Sequence, residues 1–148
     1  MSIAITKARV GDSVAIRALE NKVWHEQDVT GKYDMATTIR FGYSFVAKDK
    51  DKIVGAILAI KTADDEVYVQ DWFVNERYRG QGIGKKLYAR LIEAVRGLPI
   101  VSFLHPDSKE SIKAHKQLGF KVVKRIKDVY GLGDSVSRFF VRRAGSRR

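Results

Sequence analysis

The stretch "VYVQDWFVNERYRGQGIGKKLYARL", from Val67 to Leu91, couples three patterns in a fixed order. An aromatic and β-branched run reads as a strand. Glycines at alternate positions follow, Gly80, Gly82 and Gly84. Ile83, Leu87, Leu91 and Val95 then stand at helical spacing. A strand that passes through a glycine loop straight into a helix admits few folds. Glycine is the costliest residue to order, so its repetition here needs a reason. The first N–H groups of a helix have no partner inside it, and with the helix dipole they form a site for phosphate. Glycines let the backbone come close to the oxygens. Arg77, Arg79, Lys85 and Lys86 surround the loop with positive charge. The chemistry points to a pyrophosphate or a similar polyanion.

Three phosphate motifs can be compared with this loop. The P-loop needs Gly, four residues, then Gly-Lys-Ser/Thr. Arg79 stands at its first glycine and Lys86 at its hydroxyl position, so it fails twice. The dinucleotide fingerprint G-x-G-x-x-G matches Gly80 and Gly82 but meets Lys85 at the third glycine. The pattern R/Q-x-x-G-x-G/A is satisfied by Arg79, Gly82 and Gly84.

The rest of the chain supplies the frame. "IAITKA" reads as a strand, Asp12 as the N-cap of a helix carrying Ile16, Leu19 and Val23, and Met35 to Ile39 as a short second helix. "YSFVAK" and "KIVGAILAI" form a hairpin across "DKDK". After the glycine loop, Gly97 and Pro99 end the helix and "IVSFL" is a buried strand. Pro106 and Asp107 open a further helix, with Glu110 in capping-box spacing, and it ends at Gly119. "FKVVKRI" and "SRFFVRR" are the last strands, joined by "KDVYGLGDS". The order is β-α-(α)-β-β-β-α-β-α-β-β, an α+β chain with a central mixed, mostly antiparallel sheet flanked by helices.

Composition removes whole classes of chemistry. The chain has 148 residues and no Cys, so disulfides and cysteine nucleophiles are excluded. The net charge of +11 suits an anionic ligand or surface. No apolar run approaches membrane-spanning length and "MSIAITKARVGD" lacks a signal-peptide pattern, which reads as cytoplasmic. His25 and His105 have no partner at metal-ligand spacing, so no metal is expected. Arg138, Arg142, Arg143, Arg147 and Arg148 crowd the C-terminus, and "RRAGSRR" reads as a solvated tail.

"VQDWFVNERYRGQGIGKKLYARLIEAV" resembles the acetyl-CoA-binding motif of the GNAT N-acetyltransferases. "HPDSKESIKAHKQLGFKVV" resembles the family's second signature, which ends in Gly-Phe, here Gly119-Phe120. The resemblance implies one GNAT-like domain over residues 1–143, with 144–148 as a basic tail. It implies acetyl transfer from acetyl-CoA to a primary amine of a small molecule, peptide or protein, by direct attack in a ternary complex. The backbone of Phe73 and Val74 would pair with the pantetheine arm. Arg79, Gly80, Gln81, Gly82, Ile83, Gly84 and Lys85 would hold the pyrophosphate. The second signature departs from the family at two positions: Ser108 stands for the usual Asn and His115 for the usual Tyr acid. Ser108 is carried over as a cofactor contact. Histidine can also protonate a departing thiolate, since its unperturbed pKa of about 6.5 lies near working pH.

An ammonium is not a nucleophile, so a base is needed. Asp71 is the first candidate, acting directly or through water. "QDWFV" also resembles the diamine acetyltransferase branch, but Gln70 replaces that branch's acidic residue, and +11 repels a polycation unless an acidic cleft forms locally. Trp24, Tyr33 and Trp72 are candidate walls of an acceptor pocket, with simple core packing as the alternative. Two other functions remain open: a CoA-binding sensor without catalysis, and a basic nucleic-acid-binding domain, which no recognisable signature supports. A homodimer is also left open.

Overall fold

The computed structural model describes residues 2–146, so Arg147 and Arg148 of the expected tail lie outside the described residues. The elements are β1 (Ile3–Lys7), α1 (Ser13–Trp24), α2 (Lys32–Phe41), β2 (Phe45–Asp49), β3 (Lys52–Lys61), β4 (Val67–Val74), α3 (Ile83–Ala94), β5 (Ile100–Leu104), α4 (Lys109–Gln117), β6 (Lys121–Lys127) and β7 (Ser137–Arg143). The seven strands run in the order β1-β2-β3-β4-β5-β7-β6. This is the α+β architecture expected. The chain clusters into two compact units, one comprising the chain up to Lys61 with Val69–Val95, the other Thr62–Tyr68 with the chain from Arg96 on.

In the first unit, β3 explains the core. Its run "VGAILA" is buried residue after residue, as a strand covered on both faces requires. Ala56 and Leu58 pack with Ile16 and Leu19 of α1 and with Met35 and Ile39 of α2. On the opposite pleat, a Cβ at Gly55 would lie 3.3 Å from Leu87 Cδ1 of α3. Fully burying one such aliphatic side chain contributes about 1.5–3 kcal/mol. Asp12 stands at the N-cap position of α1, after a 3-10 turn at Val10–Asp12. It makes no cap bond to the helix; Oδ2 accepts from Arg9 N at 2.9 Å, and Oδ1 lies 3.4 Å from Lys48 Nζ.

In the second unit, the first residues of β4 pair parallel with β5 through Val67↔Ile100 and Tyr68↔Val101. β5 pairs antiparallel with β7, and β7 with β6. Phe103 gathers Tyr68 at 6.0 Å and Phe140 at 5.4 Å between ring centroids. Three of the C-terminal arginines lie in β7, the strand expected over "SRFFVRR". Arg138 lies 3.8 Å from Asp134, Arg142 pairs with Glu66 at 3.1 Å, and Arg143 Nε donates to Leu118 O at 2.8 Å. The helix expected from Pro106 starts later, at Lys109, with Ser108 at its N-cap position. Asp107 N instead donates to His105 Nδ1 at 3.1 Å, and Ser108 N to His105 O at 3.0 Å, so a tight turn occupies the residues where the capping box was expected.

Candidate active site

The glycine loop is held from below by one buried side chain. Asn75 N donates to Val54 O at 2.7 Å, and Asn75 Oδ1 accepts from Arg77 N at 3.0 Å, which caps the 3-10 turn Glu76–Tyr78. Tyr78 donates its hydroxyl to Asp49 at 2.8 Å. Arg79 then runs extended, with Nε donating to Val74 O at 3.3 Å. Gly80 and Gly82 sit at φ +80° and +77°, where L side chains are strained, and a Cβ on either would touch nothing. Their need is conformational. Gly82 provides no side-chain cap, and the first helical bond runs from Lys86 N to Gly82 O at 3.0 Å. The amides of Ile83, Gly84 and Lys85 therefore stand before the first intrahelical bond. Ile83 is buried and anchors the start of α3; Gln81, Lys85 and Lys86 are exposed.

Gly84 is glycine for a different reason. Its Cβ would come within 3.0 Å of the Trp72 ring. Trp72 Nε1 donates to Gly84 O at 2.9 Å, and the ring stacks edge-on against Tyr88 at 4.8 Å. Trp72 thus ties β4 to the first turn of α3 and belongs to the loop's support. Phe73 is buried, and Val74 leads into the loop, with its carbonyl accepting from Arg79.

Asp71, one residue before Trp72, opens a second cluster. Its Oδ2 accepts from Trp24 Nε1 at 2.9 Å and its Oδ1 from Trp72 N at 2.8 Å. The carboxyl of Glu20, fully buried on α1, lies near enough to that of Asp71 for each to shift the other's titration. Thr30 donates its hydroxyl to Glu20 Oε2 at 3.1 Å, while the buried Oε1 receives no donor from an N–H or hydroxyl. Burial is the main cause that pushes Glu20 from 4.5 up to about 8; the bond to Asp71 and the charge of Asp71 add to it. Burial also raises Asp71, against its bonds to Glu20, Trp72 and Trp24. Among the described residues, Trp24 remains 47% exposed beside this pair, so the cluster reaches the surface through an aromatic edge. Tyr33 is 77% exposed, with Lys32 over its ring.

Glu20 had a signal in the sequence. It stands four residues after Ile16 and three before Val23, on the apolar stripe of α1, where a carboxylate is anomalous. A cavity of about 170 Å³ lies between the end of α1 and the loop, lined by Leu19, Lys22, Val23, His25, Asn75, Glu76 and Arg79.

The remaining two site residues lie in the second unit. Ser108 is exposed and makes no side-chain cap. His115 is buried on α4, where Nδ1 donates to Ser111 O at 2.7 Å and the ring packs edge-on against Phe120 at 4.9 Å. Burial holds its pKa below the ordinary imidazole value, against the Ser111 bond.

The model of the Acetyltransferase (GNAT) family matches residues 14–120. N-alpha-acetyltransferase 30 of Schizosaccharomyces pombe is 26% identical over 106 residues, 67% of this chain and 71% of its own length. The structure of Ard1 from Thermoplasma volcanium superposes with a TM-score of 0.86 at 18% identity, covering 99% of this chain and all of that one. That of yncA from Salmonella typhimurium, solved with its cofactor acetyl-CoA, gives 0.83 at 19% identity over 100% and 96% of the two chains.

Proposed function

Since the chain belongs to the Acetyltransferase (GNAT) family and uses acetyl-CoA, we propose that it acetylates a primary amine by direct attack on the thioester. The observation that carries this reading is the loop, where two glycines at positive φ lead into helix-start amides with no intrahelical acceptor. Those amides, with Arg79 and Lys85, hold the pyrophosphate. The backbone of Phe73 and Val74 aligns the pantetheine arm. The acceptor reading is supported by the name of the 26%-identical relative, an N-alpha-acetyltransferase. It is supported too by an acid pair, Glu20 buried and Asp71 half-buried, in a chain of net charge +11, which supplies the local negative charge that an ammonium needs.

In this mechanism Asp71 takes one proton from the ammonium. The nitrogen lone pair forms the C–N bond, and the C–S bond breaks with its electron pair on sulfur. The remaining proton lost by nitrogen goes to the thiolate. His115 is proposed to relay it: with Nδ1–H donated to Ser111 O, Nε2 of the neutral ring takes the proton that nitrogen loses and passes it to the thiolate. Positioning amine and thioester together supplies much of the acceleration.

The competing reading is a CoA-binding domain without turnover, motivated by His115 and Ser108. Thermal shift with CoA, followed by thiol release from acetyl-CoA with propylamine, phenethylamine, putrescine and a peptide with a free N-terminus, separates the two. We expect stabilisation by CoA and release with at least one amine. Stabilisation with no release from any amine would leave the sensor.

A further inference from the structure

Resting on the reading of Asp71 as the base, we propose that Glu20 is a positioning residue for acetyl transfer: it holds a proton against Asp71 and keeps that carboxylate ionised and aimed while a cationic acceptor docks. The donors around the two carboxyls carry the assignment. Asp71 receives two N–H groups, Trp24 Nε1 and Trp72 N. Hydrogen bonds to the charged form favour it. Glu20 receives the Thr30 hydroxyl and is favoured in its charged form by the Thr30 backbone as well, yet its buried Oε1 receives no N–H or hydroxyl donor. A buried carboxylate oxygen left without a donor is costly, and two ionised carboxylates in contact repel. One proton on Glu20, directed at Asp71, removes both penalties at once.

Among the described residues, the cationic groups near Glu20 are engaged elsewhere. Arg17, one turn earlier on α1, spends its guanidinium on Thr30 O at 2.8 Å and on Asp28. The elements packed on this side of α1 bring apolar groups, Met35 and Ile39 from α2 and Ala56 and Leu58 from β3. Lys22 and His25, at the end of α1, face the adjoining cavity. Thr30 is itself fixed by Arg17, and Asn21 Oδ1 accepts from Val29 N at 3.1 Å, so the loop after α1 is tied to the helix that carries Glu20.

The proton count follows. The resting pair holds one proton and one negative charge, which matches the single charge of an ammonium. When Asp71 takes a proton from the acceptor, the pair becomes neutral. The amine attacks, its second proton leaves with the thiolate, and the pair returns one proton to water. Glu20 never exchanges a proton with the substrate. It makes the site monoanionic and keeps Asp71 as the member that titrates against the acceptor. This arrangement favours a monocationic amine over a polycation.

Infrared difference spectroscopy of the free protein tests the proton directly. We expect a protonated-carboxyl stretch at neutral pH that disappears in Glu20→Gln and persists in Asp71→Asn. Loss of that band in Asp71→Asn instead, or its absence from the wild type, would overturn the assignment whatever the enzyme acetylates. Single-turnover transfer to the panel amine with the fastest thiol release tests the positioning role. Glu20→Leu should lower the rate at neutral pH on the order of 100-fold, and Glu20→Gln, whose amide donates in place of the acid, should recover to within about tenfold of the wild type. The acid limb should move to higher pH in Glu20→Leu, since Asp71 loses a donor. A Glu20→Leu variant with the wild-type limb would reduce Glu20 to packing. Full activity of Asp71→Asn would remove Asp71 as the base and with it this role, a result the infrared measurement does not depend on.

Discussion

The glycine loop and the Glu20–Asp71 pair lie in the same compact unit and are built by opposite means. The loop is exposed and made of backbone. Its specificity lies in φ angles and orphan amides, and its side chains add screened charge. The pair is made of side chains, Glu20 buried and Asp71 half-buried, with each oxygen accounted for by a named donor or by the one proposed proton. A backbone site needs residues that do little, and glycines repeat visibly along the chain. A side-chain site needs two acids 51 positions apart to meet, a pairing that no local pattern announces. In the proposed function the two also divide the work, the loop binding the cosubstrate and the pair acting on the acceptor.

Paired substitutions should break that division most sharply. Asp71→Asn should lower single-turnover transfer by about 10²–10⁴-fold while acetyl-CoA affinity measured by calorimetry stays unchanged. Gly82→Val should do the reverse. A β-branched residue at φ +77° is strained, and displacing the loop should weaken acetyl-CoA on the order of 100-fold in a folded protein. A Gly82→Val variant with wild-type affinity would sink the loop assignment. Equal losses of affinity in both variants would show that loop and pair are one site.

The legibility of the two regions differs for physical reasons. The bounds of β4, β5 and β7 were readable because apolar and β-branched runs end at turn residues there. The loop was readable because glycine repetition has a cost that only a function offsets. Two features of the fold were not. The start of α4 was placed at Pro106, because Asp107 and Glu110 have capping-box spacing; the His105 ring and carbonyl won the competition for the Asp107 and Ser108 amides. The placement of β7 between β5 and β6 depends on pairings far apart in sequence. The sequence offers Trp72 either as a pocket wall with Trp24 and Tyr33 or as core; in the structure it packs on Gly84. Aromatic residues on adjacent faces of a strand or on different elements carry no label for the side they will line. Glu20 is an anomaly on the apolar stripe of α1, but its role is not legible there, because its partner lies on a distant strand.

Stability against pH sharpens the comparison from the other side. The loop offers no buried titrating group, whereas Glu20 is raised from 4.5 to about 8 by burial first and Asp71 second. The folded state then binds a proton more tightly than the unfolded chain. Stability is fully present below pH 4.5 and is lost as pH rises towards about 8, with a slope of at most about 1.4 kcal/mol per pH unit for one proton. His115 acts in the opposite sense: its lowered pKa costs stability as pH falls below the ordinary imidazole range. Melting temperatures of wild type and Glu20→Gln, compared across pH 5 to about 8, isolate the acid pair. The difference should close towards low pH and favour Glu20→Gln at high pH. A constant difference would mean that Glu20 titrates normally.

The smallest expected effect concerns the loop's own charges, and it tests whether backbone really dominates there. Arg79 is the best placed of them, yet its Nε is already engaged with Val74 O at 3.3 Å. Lys85 and Lys86 are exposed. At physiological ionic strength the screening length is about 8 Å, so exposed cations contribute little beyond their immediate neighbours. Arg79→Ala should therefore weaken acetyl-CoA by only a few-fold, roughly 1 kcal/mol or less. The loss should be larger at low salt than at high salt. Titrations at two ionic strengths read this directly. A loss that ignores salt would mean that Arg79 acts through Val74, shaping the turn into Gly80 instead of attracting the anion. A loss as large as that of Gly82→Val would overturn the contrast itself, because side-chain charge would then hold the phosphate and the glycines would only make room.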